Sequence, residues 1–301
     1  MAVLVTGSVA IDSVTTPHGE AREVPGGSAL YFSVAASFFA PVRVVAAVGE
    51  DFPKRFLRVF DDRAIDLTGL EFRRGSKTFR WTGRFDGDMN EAQTVDVDLN
   101  VLAEDAPRVP PPFADSESVF LANTHPTRQR EVLTQVTSPR LVVCDSMNLW
   151  ITTERESLVE TLRKVHGVII NDAEARQLTK RMNLIDAGDG ILDLGPRFVM
   201  IKKGEHGSLL VTADGAYALP AYPAKVVRDP TGAGDSFAGG VMGYLDQQGA
   251  SDTQALRRAM VRGTVMASFT IEDFSARRLQ ELSRADIERR VGHYVEMLHV
   301  G

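Results

Sequence analysis

Residues 229–237 of the chain read DPTGAGDSF, and residues 238–245 continue as AGGVMGYL. Small residues at 232–234 adopt backbone angles that bulkier residues resist, and they let a ligand approach the main chain. The apolar run that follows predicts a buried helix at about Ser236–Gln248. We therefore expect the backbone N–H groups of Gly232, Ala233 and Gly234 to form an anion site at the start of this helix.

Asp235 falls in the first turn of the same predicted helix, where the helix dipole favours an ionised carboxylate. Such a carboxylate can accept the proton of an attacking hydroxyl, while the nearby N–H groups stabilise the charge of a phosphoryl group in transfer. The alternative is an ordinary capped helix after a glycine turn. The presence of Asp229 and Thr231 in the same loop favours the catalytic interpretation.

Strands and helices alternate along the first part of the chain. Ala2–Thr6 and Val42–Val48 read as strands, whereas Ser28–Phe39 and Pro53–Arg63 read as helices. This alternation predicts a mostly parallel sheet covered by helices. Residues 78–85 and 94–99 differ, because their apolar and polar residues alternate around a turn-rich segment, which predicts an antiparallel hairpin.

The α/β alternation resumes after the hairpin, and no linker divides the chain, so we expect one domain over residues 1–301. Buried strands are predicted at Val119–Ala122, Leu141–Cys144, Val168–Ile170 and Phe198–Ile201, and a second hairpin at Ser208–Val211 and Ala216–Leu219. Helices are predicted at Arg128–Val136, Glu154–Val165, Ala173–Arg181, Thr253–Phe269 and Ala276–Leu298.

Composition excludes several classes of partner. The 301 residues carry 34 Lys and Arg against 40 Asp and Glu, a formal charge of −6, which disfavours nucleic-acid binding. No apolar run is long enough to predict a membrane span, and the N-terminus lacks a basic leader, so we expect a cytoplasmic protein. The one cysteine, Cys144, lies in an apolar run and is expected to be a small buried hydrophobe.

The DPTGAGD stretch resembles the C-terminal signature D-T-x-G-A-G-D of the ribokinase-like (PfkB) family of carbohydrate and nucleoside kinases. Pro230 stands in place of the signature's first Thr. The resemblance implies a three-layer α/β sandwich with a central, mostly parallel sheet and a small β-sheet lid, at about residues 12–25 and 77–100. It also implies ATP and Mg²⁺ as cofactors, Asp235 as catalytic base and residues 232–234 as the anion hole.

The same resemblance indicates which residues would bind the substrate. Gly26 and Gly27, with the helix after them, look like the family's other glycine signature, and Asp12 would clamp two adjacent hydroxyls. The alternative for Asp12 is a helix or turn cap. Two asparagines that ribokinases use on the sugar are replaced here by Tyr31 and Ala10, which argues against ribose as the substrate.

Two further segments resemble the parts of the family that bind the nucleotide. Asn171 and Glu174 match the family's N-x-x-E motif and would hold the water shell of Mg²⁺, although the same pair could simply form a helix capping box. Lys202 stands where many members carry Thr and could reach the γ- or β-phosphate. The backbone at Gly204 and Gly207 would lie near the nucleotide. If a monovalent cation such as K⁺ is used, the resemblance puts it near Asp229 and Thr231.

Three polar residues, Asn123, Asp145 and Asn148, follow predicted strands and are substrate-binding candidates by location alone. Trp81 and Phe85 on the hairpin could stack on a base or sugar, or be buried against the sheet. The function we expect is transfer of a phosphoryl group from ATP to a primary hydroxyl of a sugar or sugar-like substrate. Alternatives are a nucleoside kinase and a catalytically silent nucleotide-binding homologue. By resemblance, the lid would pair two subunits in a homodimer.

Overall fold

Thirteen strands and ten α-helices make up the part of the chain that the computed structural model describes, residues 2–299. The strands are β1 Val3–Thr6, β2 Ala10–Thr16, β3 Gly19–Gly26, β4 Val42–Gly49, β5 Ile65–Arg73, β6 Arg80–Phe85, β7 Ala92–Asp98, β8 Ser118–Leu121, β9 Leu141–Cys144, β10 Gly167–Asn171, β11 Phe198–Lys202, β12 Ser208–Thr212 and β13 Gly215–Leu219. The helices are α1 Ser28–Ala36, α2 Pro126–Leu133, α3 Asn148–Thr153, α4 Arg155–Leu162, α5 Asp172–Thr179, α6 Leu184–Leu192, α7 Ala233–Gln248, α8 Thr253–Thr270, α9 Arg277–Gln280 and α10 Arg284–Leu298.

The main sheet has nine strands in the order β13-β12-β11-β10-β9-β8-β1-β4-β5. Every neighbouring pair from β11 to β5 is parallel, whereas β12 and β13 form the predicted antiparallel hairpin at one edge. The central strands are buried on both faces, which explains why they read as continuous apolar runs.

Two layers of helices cover the sheet, as the fold prediction required. Alternate residues of β1 illustrate the division: Val3 and Val5 join a core cluster with α1, α7, α8 and α10, whereas Leu4 joins the cluster on the other face. That second cluster includes residues of α2, α4, α5 and α6. The three-layer sandwich is thus confirmed.

A second sheet, with the order β3-β2-β6-β7, forms the small lid. The predicted hairpin is β6–β7, and β2 pairs with β6 in parallel and with β3 in antiparallel fashion. Phe85 and Met89 at the hairpin tip are buried with Val14, and Trp81 and Val227 pack against them. The position of Phe85 therefore agrees with burial of this ring within the lid instead of stacking on a base or sugar. Strand β7 is an exposed edge along its whole length.

Several local predictions differ from the structure. Pro53–Arg63 contains a 3₁₀ helix, Lys54–Phe60, instead of an α-helix. The last predicted helix is divided into α9 and α10, because Ser283 and Asp286 form a capping box that starts a new helix. Strand β5 and helices α3 and α6 were not predicted.

The site follows from the topology, because parallel strands bring their carboxyl ends to one edge of the sheet. Residues that end or follow β9, β10 and β11 meet the start of α7 at this edge. Cys144 is buried, as expected. Among residues 2–299, no helix combines the length and apolarity needed to cross a membrane.

Candidate active site

The start of α7 presents free backbone donors. The N–H groups of Gly232, Gly234 and Asp235 donate no hydrogen bond to any acceptor among residues 2–299. The N–H of Ala233 instead donates to the Pro230 carbonyl at 3.1 Å. Gly232 has φ +76°, and a Cβ there would lie 2.3 Å from the ring of Tyr31. Both its angle and its neighbour therefore require glycine.

Asp235 lies in the first turn of α7 with part of its surface exposed. Burial raises its pKa to about 7, and the negative charge of Asp145 adds to this effect, while Lys202 opposes it. A carboxyl group with a pKa near neutrality is a stronger base than an ordinary aspartate, and a substantial fraction of it is ionised at physiological pH. The position and pKa of Asp235 suit a general base.

The carboxylate of Asp12 lies near Asp235 and Asp229. Its carboxylate lies against Gly26, where a Cβ would come within 1.8 Å of Oδ2, so only glycine leaves room for it. Burial raises the pKa of Asp12 to about 7; the Gly27 N–H opposes this by hydrogen bonding, and the charges of Asp229 and Asp235 add to it. Asp12 and Asp235 are therefore close enough to interact electrostatically.

Tyr31 lies near both carboxylates. Its side chain is buried, its ring covers Gly232, and its pKa is raised by burial and by the charges of Asp12, Asp229 and Asp235. The phenol thus has three carboxylates near it and stands at the position where the family pattern has an asparagine.

Asp229 lies behind the loop. It is buried, and its oxygens accept hydrogen bonds from the N–H groups of Thr231 at 2.9 Å and Ser275 at 3.4 Å. The hydroxyl of Thr231 is buried and has no hydrogen-bond partner within the part of the chain that the structure describes. A buried, unpaired oxygen beside a carboxylate suits a monovalent cation.

Lys202, at the end of β11, brings a positive charge to the loop. Its Nζ lies 3.6 Å from Oδ2 of Asp145, and a Cβ on Gly234 would lie 2.9 Å from the same Nζ. Both side chains are largely buried. The positive charge of Lys202 is therefore held directly against the backbone at the start of α7.

Asn171 and Glu174 form a complete capping box at the start of α5. The Asn171 N–H donates to Oε2 of Glu174 at 2.8 Å, and the Glu174 N–H donates to Oδ1 of Asn171 at 2.7 Å. Oε1 of Glu174 remains for another partner. Burial raises the pKa of Glu174 to about 8, with a further contribution from Asp145. A cation that approached Oε1 would stabilise the ionised form of this buried carboxyl.

The turn after β11 meets the lid. Gly204 and Gly207 both have positive φ, and a 3₁₀ helix, Gly204–His206, lies between β11 and β12. From the lid tip, Nδ2 of Asn90 donates to Oε1 of Glu205 at 2.9 Å, and the Glu205 N–H reaches Oδ1 of Asn90 at 3.4 Å. Sequence analysis did not select Asn90 or Glu205, because nothing in the sequence relates positions so far apart.

The remaining two candidates, Asn123 and Asn148, have different surroundings. Oδ1 of Asn123 accepts a hydrogen bond from Nε1 of Trp150 at 2.9 Å, and Trp150 packs edge-on against His125. Asn123 thus lies beside an aromatic pair that sequence analysis missed. Asn148 starts α3 with an exposed side chain, which makes no hydrogen bond to any residue in 2–299. The structure does not bring Asn148 into contact with the other candidates.

Residues 3–281 match the family described as pfkB family carbohydrate kinase. The chain belongs to the pfkB family. It is a phosphotransferase that acts on an alcohol group, as the resemblance predicted. The match covers both the Asp12 segment and the DPTGAGD loop, so the two halves of the candidate site fall within the family region of this pfkB kinase.

Individual relatives agree with the family. A cytidine kinase of Thermococcus kodakarensis is 30% identical over 252 residues, which cover 80% of this chain and 88% of the relative. The crystal structure of aminoimidazole riboside kinase from Salmonella enterica, with aminoimidazole riboside and an ATP analogue, superposes with a TM-score of 0.76 at 21% identity and covers 97% of this chain and 100% of that one. The nucleoside kinase of Methanocaldococcus jannaschii superposes with a TM-score of 0.76 at 20% identity, covering 97% and 98%.

Proposed function

We propose that this pfkB kinase transfers the γ-phosphoryl group of ATP to the primary hydroxyl of a nucleoside, with Asp235 as general base. The observation that supports this reaction best is the position of Asp235 beside the free N–H groups at the start of α7. The nucleoside assignment is supported by the cytidine kinase relative at 30% identity. The aromatic pair of His125 and Trp150 next to Asn123 offers a surface for a base.

In the proposed reaction, the acceptor oxygen attacks the γ-phosphorus and the bond from that phosphorus to the β–γ bridging oxygen breaks. ADP leaves, and the proton of the hydroxyl passes to Asp235. The N–H groups of Gly232, Gly234 and Asp235 stabilise the charge that develops on the phosphoryl oxygens. Ala233 contributes its N–H if the hydrogen bond to Pro230 opens.

Asp12 would hold the ribose. A carboxylate has two oxygens and can accept a hydrogen bond from each of two adjacent hydroxyls, and the close packing on Gly26 fixes the direction in which Asp12 presents them. Tyr31 fills the space beside Gly232, so the acceptor must approach along the side of the phenol. Gly27 brings the main chain close to the same hydroxyls.

For the nucleotide, Oε1 of Glu174 and the amide of Asn171 would bind the water shell of Mg²⁺, which usually keeps several of its waters. The bound ion would neutralise phosphate charge. Gly204 and Gly207 would place backbone near the nucleotide, and the ammonium of Lys202 would contact the γ-phosphate. Asp229 and the unpaired hydroxyl of Thr231 would accommodate K⁺.

The test is an ATP-consumption screen with Mg²⁺ over cytidine, inosine, aminoimidazole riboside, ribose and fructose. We expect a nucleoside to stimulate ADP formation most strongly. If only free sugars do so, the nucleoside assignment is wrong and the sugar alternative is correct. If none of the five compounds is phosphorylated, the nucleoside assignment is wrong.

Substitution of the base tests the mechanism with the best acceptor from that screen. Asp235→Asn should lower kcat roughly 10²–10⁴-fold, because the amide cannot accept the hydroxyl proton. Asp62→Asn makes the same chemical change at an exposed position outside the site and should leave kcat unchanged. An Asp235→Asn variant with near-normal kcat would rule out the proposed base.

A further inference from the structure

Lys202 lies among carboxylates from three different elements. Asp145 follows β9, Glu174 lies in the first turn of α5, and Asp235 lies in the first turn of α7. All three affect the charge state of Lys202, and Asp145 is the one within ion-pair distance, at 3.6 Å. A single cation in this setting has more than one partner, so its position depends on which carboxylate holds it.

The position of the Lys202 ammonium matters because of what it faces. Nζ lies 2.9 Å from where a Cβ on Gly234 would be, at the same turn of α7 that carries the free N–H groups of Gly234 and Asp235. The ammonium thus adds a full positive charge to the partial charges of the backbone. If Lys202 turned to Asp235 instead, the ion pair would neutralise the proposed base and block the approach of the hydroxyl.

Asp145 is already occupied on both oxygens. Oδ1 accepts a hydrogen bond from the N–H of Ser146 at 2.7 Å, and Oδ2 faces Lys202. Its side chain is only 7% exposed. The backbone nearby is fixed as well, because Nε2 of the buried Gln129 donates to the Asp145 carbonyl at 3.1 Å. A carboxylate that is fixed and paired in this way is suited to orient a neighbour more than to bind an incoming hydroxyl.

We propose that Asp145 is a positioning residue, which holds the Lys202 ammonium over the start of α7 so that Lys202, and not Asp235, meets the γ-phosphoryl group. This inference rests on the proposed kinase function and assigns Asp145 a role other than substrate binding. Asp145 takes no part in bond making or breaking. Lys202 stays protonated throughout, and the hydroxyl proton still passes to Asp235.

Nucleotide binding without turnover tests the role of Lys202. By calorimetry with Mg²⁺, the wild-type protein should bind AMP-PNP more tightly than ADP, and Lys202→Met should lose about 10-fold of that preference. Lys203→Met is the matched control: Lys203 is the next residue, forms no ion pair within residues 2–299, and should keep the preference. If Lys202→Met keeps it too, Lys202 does not contact the γ-phosphate and the proposal is wrong.

Kinetics then test Asp145. Asp145→Asn, with nearly the same shape, should lower kcat roughly 10- to 10²-fold and leave the KM of the acceptor within 2-fold, since a misplaced group mainly affects the transition state. The double variant Asp145→Asn/Lys202→Met should be no slower than Lys202→Met alone. Additive losses, or a large rise in the KM of the acceptor with unchanged kcat, would show that Asp145 acts independently of Lys202.

The pH profile gives a second readout that a purely structural role would not move. The groups that face Asp235 are Asp145, Lys202, Glu174, Asp12 and Tyr31. Since Asp145 raises the pKa of Asp235, the acid limb of kcat/KM should move to lower pH in Asp145→Asn. If that variant does not fold, Asp145→Glu, which keeps the charge, should retain most of the AMP-PNP preference; loss of it would contradict the proposal.

The results that would contradict the proposed kinase function differ from those that would contradict the positioning role of Asp145. A protein that binds neither AMP-PNP nor ADP, or that keeps its activity in Asp235→Asn, is not the kinase described above. In contrast, normal activity that depends on Asp235, together with a nucleotide preference that does not depend on Lys202 or Asp145, would leave the kinase function intact and remove only the positioning role.

Discussion

Asp12 and Asp235 are two buried or partly buried carboxyl groups with similar pKa values and different expected tasks. Asp12 packs on Gly26, whereas Asp235 lies in the first turn of α7, beside its free N–H groups. The difference in surroundings leads to two separate experiments.

Asp12→Asn should abolish discrimination between acceptors that have two adjacent hydroxyls and those that lack one. With the wild-type protein, a 2′- or 3′-deoxy nucleoside should show kcat/KM lower by about 10- to 10²-fold, because a hydrogen bond to a charged group is lost. In Asp12→Asn the two acceptors should react at similar rates. Steady-state kinetics with the matched pair of acceptors measure this, and unchanged discrimination would return Asp12 to the role of a turn cap.

The pH dependence of kcat/KM should show an acid limb near neutrality. Asp235 must be ionised to accept a proton and Asp12 must be ionised to accept two hydrogen bonds, and the pKa of each is raised to about 7. Activity should therefore fall as the pH drops below about 7, with a slope between one and two, since the two groups interact. In Asp12→Asn the slope should become one. A rate that stays constant down to pH 5 would contradict both assignments.

Among the larger elements, the lid hairpin β6–β7 and the turn after β11 are linked by the hydrogen bonds between Asn90 and Glu205. Buried Phe85 and Met89 support the same end of the hairpin. The element that would cover the acceptor therefore touches the segment that would hold the nucleotide.

Asn90→Ala should weaken the binding of both substrates together. Loss of these partly exposed hydrogen bonds should raise the KM values of ATP and of the acceptor by about 2- to 10-fold each, with a smaller change in kcat. Gln93→Ala, on the exposed strand β7 of the same hairpin, provides the control. An increase confined to one substrate would mean that the contact does not couple the two sites.

The elements that the sequence predicted well are those with one dominant signal. The central strands are buried on both faces, so Leu141–Cys144 reads as an unbroken apolar run. Edge strand β5 lacks such a run, because exposed Asp66 and partly buried Glu71 interrupt it. Helix α6 contains two glycines that lower helix propensity, and a Cβ on Gly188 would clash with Val211 at 2.5 Å. Tertiary packing, and not local helix propensity, therefore explains why this segment is helical.

The candidate site was predictable where residues share a motif. Asp229, Gly232 and Asp235 lie within seven consecutive residues, and Asn171 with Glu174 form a capping box at the start of α5. Contacts between Lys202 and Asp145, or Asn90 and Glu205, depend on strand order and lid position. The spacing of residues along the chain gives no information about strand order or lid position. Only the structure therefore shows these two contacts.

Taken as a whole, the molecule concentrates buried carboxyl groups at its candidate active site. Asp12, Asp235 and Glu174 have pKa values raised to about 7, 7 and 8, in each case mainly by burial. A carboxyl group with a raised pKa in the folded state stabilises the fold below its unfolded pKa. That stabilisation is lost as the pH rises from about 4 through 8.

The ligand-free protein should therefore become less stable between pH 6 and pH 8.5, by on the order of a few kcal/mol if all three groups contribute. Thermal melting across this range measures the trend. Asp235→Asn should flatten it and raise the melting temperature at pH 8.5, whereas Asp62→Asn should not. Equal slopes in the two variants would show that the site is not the source.

The association of two subunits through the lid stays a prediction. Strand β7 is an exposed edge, and Val95 and Val97 on it are 63% and 45% exposed. An unpaired edge with exposed apolar side chains favours pairing with a second copy. Val95→Glu with Val97→Lys should convert a dimer to a monomer in light scattering. A wild-type protein that is already a monomer at high concentration would contradict the expectation.

The bond between Asn90 and Glu205 has one more consequence. While it holds, the hairpin tip stays against the turn after β11, and we expect this contact to limit the access of bulk water to the terminal phosphate. Opening the bond would admit a competing nucleophile. A protein without Asn90 should therefore waste ATP, releasing inorganic phosphate in the absence of any acceptor.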